Sequence, residues 1–119
     1  MTFDSNRQNL CVKYVDRMLQ LLACPENWCK KRLHITHHNP RTESYCIVGA
    51  FYCAADNKED FIPLGIGVEV YNRICSMAEI KRFRALSYFN DFSGTTYEDV
   101  ISLLKKTRQS FIEEAINDV

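Results

Sequence analysis

The stretch Ser87-Tyr88-Phe89-Asn90-Asp91-Phe92-Ser93-Gly94-Thr95-Thr96-Tyr97-Glu98-Asp99-Val100 decides how this chain is read. Aromatic residues bracket an Asn–Asp pair, a glycine follows, and a helix then begins. Thr95 and Glu98 stand at capping-box spacing, the hydroxyl meeting the Glu98 amide while the carboxylate reaches back. Beyond them Val100, Leu103, Leu104, Thr107, Phe111 and Ala115 recur at helical steps. The C-terminal stretch therefore reads as an amphipathic helix with one inward face. Asn90 and Asp91 lie just ahead of it. Either they hydrogen-bond a turn that Gly94 permits, with Tyr88, Phe89 and Phe92 closing the core, or they belong to an anion site at the helix N-terminus.

Working outward, residues 4–23 form a second clear helix. Leu10, Cys11, Tyr14, Val15, Met18, Leu19, Leu21 and Leu22 build its apolar face, Asp4 or Ser5 can cap it, and Pro25 stops it. Residues 26–39 are polar and irregular, with Leu33 and Ile35 alternating against Arg32 and His34, as in a short strand or extended loop. Asn39-Pro40 then reads as a cap followed by proline at the first helical position. The helix so begun runs to about Ala55, with Tyr45, Cys46, Gly49, Ala50, Cys53 and Ala54 facing inward. Residues 61–67, with Pro63, Gly65 and Gly67, form a connector. Past it Val68, Tyr71, Cys75 and Ala78 recur at helical steps, and Ile80, Phe83 and Leu86 extend the rhythm, so length favours helix over strand. The expected fold is mainly α: one domain over residues 1–119, a bundle of about four helices with a short extended excursion between the first two.

Bulk properties narrow the function. The chain has 119 residues, 46% hydrophobic and 25% charged, enough for one core without disulfide staples. Lys plus Arg equals Asp plus Glu at 15 each, which argues against a generic polyanion binder. No signal-peptide pattern and no membrane-length apolar run is visible, so the expected location is the cytoplasm. There the six cysteines are reduced thiols acting as small hydrophobes.

Chemistry-bearing residues form three groups. Cys24, Cys29, His34 and His37 supply thiolate and imidazole, which zinc selects, but without the two-residue cysteine spacing of common structural sites. Cys46 with His37 could make a Cys–His hydrolase, for which no local signature exists. Lys30, Lys31 and Arg32, with Lys81, Arg82 and Arg84, could converge into a basic patch for nucleic acid, as could Lys105, Lys106 and Arg108. No cofactor is implied, since Gly-rich phosphate loops, nucleophile elbows and paired carboxylates are missing.

Three signatures occur in order: Trp28-Cys29 after the first helix, Tyr45-Cys46-Ile47-Val48-Gly49-Ala50, and Phe89-Asn90-Asp91-Phe92-Ser93-Gly94-Thr95-Thr96. Over roughly residues 10–112 the chain resembles an uncharacterised family of small bacterial and phage proteins. Those carry Trp after helix one, Cys-x-x-Gly-Ala, and Trp-Asn-Asp-x-x-Gly-x-Thr. Phe89 stands here where that family usually has Trp, and the stretch between Trp28 and Tyr45 lacks its usual Gly-rich hairpin look. The resemblance implies no activity or cofactor. It does suggest a phage or mobile-element origin, and by analogy binding to a host protein. The expectation is a non-enzymatic protein-binding module, such as an anti-CRISPR. The alternatives are a small Cys/His metal-binding or hydrolytic enzyme and a nucleic-acid-binding protein. The candidate pocket is Trp28, Tyr88, Asn90, Asp91 and Thr95.

Overall fold

The structure is a computed structural model and describes residues 3–38, 41–56, 62–79 and 85–117. Among these the chain is mainly helical. Helix α1 (Phe3–Leu21) is followed by a 3-10 turn (Pro25–Asn27), strands β1 (His34–His38) and β2 (Arg41–Tyr45), then α2 (Ile47–Ala55), α3 (Leu64–Met77), α4 (Leu86–Asp91) and α5 (Tyr97–Asn117). The long helices α1 and α5 pack on each other most extensively, with α2 and α3 against α1. Cys11, Tyr14, Val15, Met18 and Leu22 of α1 meet Val100, Leu103, Leu104 and Phe111 of α5 in the core. These are the faces that helical spacing marks. Polar pairs lace the same seam: Arg108 Nε donates to Asp16 Oδ1 at 2.6 Å and Gln8 Nε2 to Glu114 Oε2 at 2.7 Å.

Five expectations need correction. Residues 41–45 are strand, not the start of the second helix. Alternating Thr42, Ser44 and Arg41, Glu43 suits a strand paired antiparallel to His34–His38, with His34 opposite Tyr45 and Thr36 opposite Glu43. The helix begins only at Ile47, with the Cys46 sulfur accepting from the Gly49 amide at 3.3 Å as its cap. Asn39 and Pro40 lie outside the described residues. Second, Cys53 is exposed; α2 buries Ile47, Gly49, Ala50 and Ala54.

Third, Gly65 and Gly67 lie inside α3, whose buried apolar side chains are Ile66, Val70 and Ile74, leaving Val68 exposed. The apolar alternation of Ile66, Val68 and Val70 conceals a helix one step out of phase with the expected face. Glu79 in the left-handed region (φ 52) follows α3, and Leu86 starts a separate helix, α4. Ile80 and Phe83 lie outside the described residues. Fourth, α5 is capped one residue later than expected. Thr96 Oγ1 accepts from the Asp99 amide at 3.2 Å while Asp99 Oδ2 accepts from the Thr96 amide at 2.9 Å. Thr96–Asp99 has the same spacing as Thr95–Glu98 and only geometry separates them. At the other end of the chain, α1 already runs from Phe3, so Asp4 and Ser5 stand inside it. No helix of the described residues is long and apolar enough to cross a membrane.

Candidate functional site

The expected corner is built around Asn90, and it is a structural knot. Asn90 lies on α4 and is fully buried. Its Oδ1 accepts from Trp28 Nε1 at 2.7 Å and from the Ile47 amide, the first of α2, at 3.0 Å. Its Nδ2 donates to the Cys29 carbonyl and to Asp91 Oδ1, both at 3.0 Å. Asp91 Oδ1 also accepts from the Lys31 amide at 2.7 Å, holding Lys31 at φ 67, a conformation that non-glycine residues rarely adopt. One side chain thus ties the loop after the 3-10 turn, the start of α2 and the short helix α4 together. With both amide ends bonded, nothing of Asn90 is left for a ligand.

Of the five expected pocket residues, Trp28, Asn90 and Asp91 meet. Tyr88 is 59% exposed and Phe92 47% exposed, so neither closes the core. Thr95 is buried in the turn before α5, its amide donating to the Phe92 carbonyl at 3.0 Å. Gly94 has no positive φ; the chain turns without the freedom expected of it. The Gly in Cys46-x-x-Gly49 has a different reason. A Cβ there would sit 1.9 Å from the Leu33 carbonyl oxygen, so the backbone entering β1 lies directly on the first turn of α2. The same Leu33 oxygen accepts from the Cys46 amide at 3.2 Å.

Among the described residues the expected cysteines and histidines do not gather into a metal-holding cluster, although Cys29 and His37 line one cleft. Cys24 is exposed, and the Cys29 sulfur lies 3.4 Å from the Arg32 carbonyl. His34 stacks on Tyr45, ring centroids 4.7 Å apart, and its Nε2 bonds Glu43. That bond, after one from Thr36, holds the Glu43 carboxyl below its ordinary range. Among the described residues no group of three or more His, Cys, Asp or Glu is placed to hold a metal ion. A cleft of about 490 Å³ lies between Trp28, Cys29, Ile35, His37 and Ser44. In it His37 Nε2 lies 3.0 Å from Ser44 Oγ, which itself donates to the Glu26 carbonyl at 2.5 Å. The hydroxyl proton being committed there, His37 is the donor in this pair and does not act as a base towards Ser44. Burial pushes the Cys29 thiol up to about 11 and raises the Cys46 thiol as well, away from the thiolate that nucleophilic chemistry uses. Of the basic residues, Lys81, Arg82 and Arg84 lie outside the described residues. Lys31 and Arg32 are exposed. Lys30 Nζ donates to the Phe92 carbonyl at 2.7 Å and stands 5.5 Å over the Trp28 ring.

The concavity that sequence reasoning missed lies between α2 and α3. Tyr14, Phe51, Tyr52, Ile62, Val68 and Tyr71 line a groove of about 530 Å³. Phe51 stands at its centre, its ring 5.2 Å from both Tyr14 and Tyr71. Tyr14 Oη donates to the Phe51 carbonyl at 2.8 Å, fixing one wall. Gly67 forms part of the floor; a Cβ there would meet Tyr14 Cε2 at an ordinary 3.5 Å. Tyr52 (60% exposed) and Val68 (54%) flank the opening. The signal was present in Phe51-Tyr52 and in Gly67-Val68, but assigning Gly67 to a connector and Val68 to the core hid it.

Residues 12–110 match the family described as "Family of unknown function (DUF6197)", and the chain belongs to that family, in keeping with its resemblance to an uncharacterised one. No curated protein and no solved structure matches it.

Proposed function

We propose that this DUF6197 member is a non-enzymatic module that binds another protein, and that the α2–α3 groove is where it does so. The observation carrying this reading is an apolar, aromatic-walled concavity with Tyr52 and Val68 exposed at its mouth. Large rigid aromatics that combine an apolar body with a polar tip are what protein interfaces enrich. The volume suits one or two anchoring side chains of a partner. The finer reading is a partner in a bacterial host, in the manner of a phage-encoded defence inhibitor such as an anti-CRISPR; its support is the resemblance to small bacterial and phage proteins. The Cys/His enzyme reading draws no support from thiols whose ionisation burial disfavours.

The test is to pan a peptide display library on the immobilised protein and then challenge the enriched peptides with Tyr52→Asp/Val68→Asp. Peptides with aromatic or aliphatic anchors should bind the wild type and lose the double variant. Enriched peptides that bind both proteins equally, or no enrichment at all, would refute the groove as the contact.

A further inference from the structure

A second surface, sharing no residue with the groove, follows from the hydrogen-bond phase of the hairpin. The Cys46 amide donates to the Leu33 carbonyl, and the register pairs Ile35 with Ser44 and His37 with Thr42. In an antiparallel ladder the bonded pairs alternate, so Leu33, Ile35 and His37 turn their backbone groups to β2. His34, Thr36 and His38 therefore turn theirs outward. On β2 the outward residues are Arg41, Glu43 and Tyr45, and the last two carbonyls are used: Asn27 Nδ2 donates to Glu43 O at 2.9 Å and the Cys29 amide to Tyr45 O at 3.0 Å. From Glu43 to Tyr45 the β2 side is thus covered by the segment around the 3-10 turn. On β1, no described residue bonds the outward amides and carbonyls of His34, Thr36 and His38.

An uncovered edge of this kind is a template for another extended chain. Charge decides which. Residues 28–45 carry four Lys or Arg and three His against one Glu, in a chain whose net charge is zero. Lys31, Arg32 and Arg41 are exposed. The one carboxylate, Glu43, is already engaged by Thr36, His34 and Arg41. Two copies of such an edge would set like charges against each other, which disfavours self-pairing. We propose that the outer edge of β1 binds an acidic, extended peptide segment of a partner protein by strand addition. Backbone bonds to His34, Thr36 and His38 hold it, and Lys31, Arg32 and Arg41 select its carboxylates.

The test uses a capped peptide of alternating Glu and Val, titrated into the labelled protein at low salt. As a control of equal charge and low strand propensity, Gly replaces each Val. The amides of His34, Thr36 and His38 should shift, and those of Ile35 and His37 should not. Thr36→Pro removes an outward amide while leaving the hairpin's own bonds in place, which proline tolerates only at an edge. It should weaken binding about tenfold or more. Thr36→Val loses the same Glu43 contact but keeps the amide, and should bind as wild type. Equal binding of the Gly control, of Thr36→Pro, or of a single-stranded oligonucleotide competing through Thr36→Pro unchanged would overturn strand addition in favour of charge alone. So would a wild-type dimer that Thr36→Pro dissolves. Loss of peptide binding here leaves the Tyr52 and Val68 result untouched, so the two readings fail separately.

Discussion

Replacing Asn90 by Ala removes four hydrogen bonds at once and strands the groups at their far ends. Trp28 Nε1 and the Ile47 amide lose their acceptor, and the Cys29 carbonyl loses a donor. A buried polar group without a partner costs about 1–3 kcal/mol. Ile47 is wholly buried, whereas Trp28 and Cys29 are only half-buried, so water can partly replace what they lose. The sum is about 3–5 kcal/mol, a large share of the ~5–15 kcal/mol that holds a domain together. Trp28 is the only tryptophan, so its emission reports on the knot itself while far-UV circular dichroism reports on the helices. Urea unfolding followed by both should show a large fall in midpoint, with native-state Trp28 emission already shifted towards that of a wetter indole. Trp28→Phe alone should cost less, since it breaks one of the four bonds. The two changes should be non-additive by about 1 kcal/mol. A loss under about 1 kcal/mol for Asn90→Ala, with unaltered emission, would mean that Asn90 does not tie these segments together and is free for another role.

Gly49→Ala should destabilise by about 2–3 kcal/mol. The Leu33 carbonyl, with a Cβ 1.9 Å away, must move and take its bond to Cys46 with it, outweighing the helix propensity that Ala adds. Gly67→Ala, whose Cβ finds ordinary contacts, should be neutral or stabilising by about 0.5–1 kcal/mol; thermal melts that rank the two the other way would sink both statements. Thr96→Ala should cost about 1 kcal/mol and Glu98→Ala about nothing; the reverse order in denaturant titrations would restore the Thr95–Glu98 cap. Burial pushes the Cys11 thiol up to about 12. An unfolded thiol ionises near ~8.5, so above that pH the unfolded chain has released a proton that the native state retains. Stability should then fall with rising pH by about 1.4 kcal/mol per unit for this thiol. Cys11→Ala should make the alkaline limb of the stability profile shallower by that amount, the Cys29 and Tyr14 contributions remaining, and an unchanged limb would contradict the assignment.

What the sequence by itself determined is the inventory of helices with wide, regular apolar faces. In α1 and α5 the spacing of Cys11, Tyr14, Val15, Met18 and Leu22, and of Val100, Leu103, Leu104 and Phe111, names the buried positions directly. A long amphipathic helix can bury only one stripe, so periodicity leaves little choice. Short elements offer no such redundancy. Residues 41–45 became strand because His34–His38 was there to pair with them. The phase of α3 was set by Ile66, Val70 and Ile74 meeting the core rather than by the alternation around Val68. Only tertiary structure could decide that Asn90, besides its bond to the neighbouring Asp91, accepts from Trp28 and Ile47. It lies 62 and 43 residues from them in sequence, and a buried amide takes whichever partners packing delivers. The same holds for the two surfaces proposed to bind. Exposure of Tyr52 and Val68 and the outward turn of His34, Thr36 and His38 depend on what other elements leave uncovered, which no local pattern encodes.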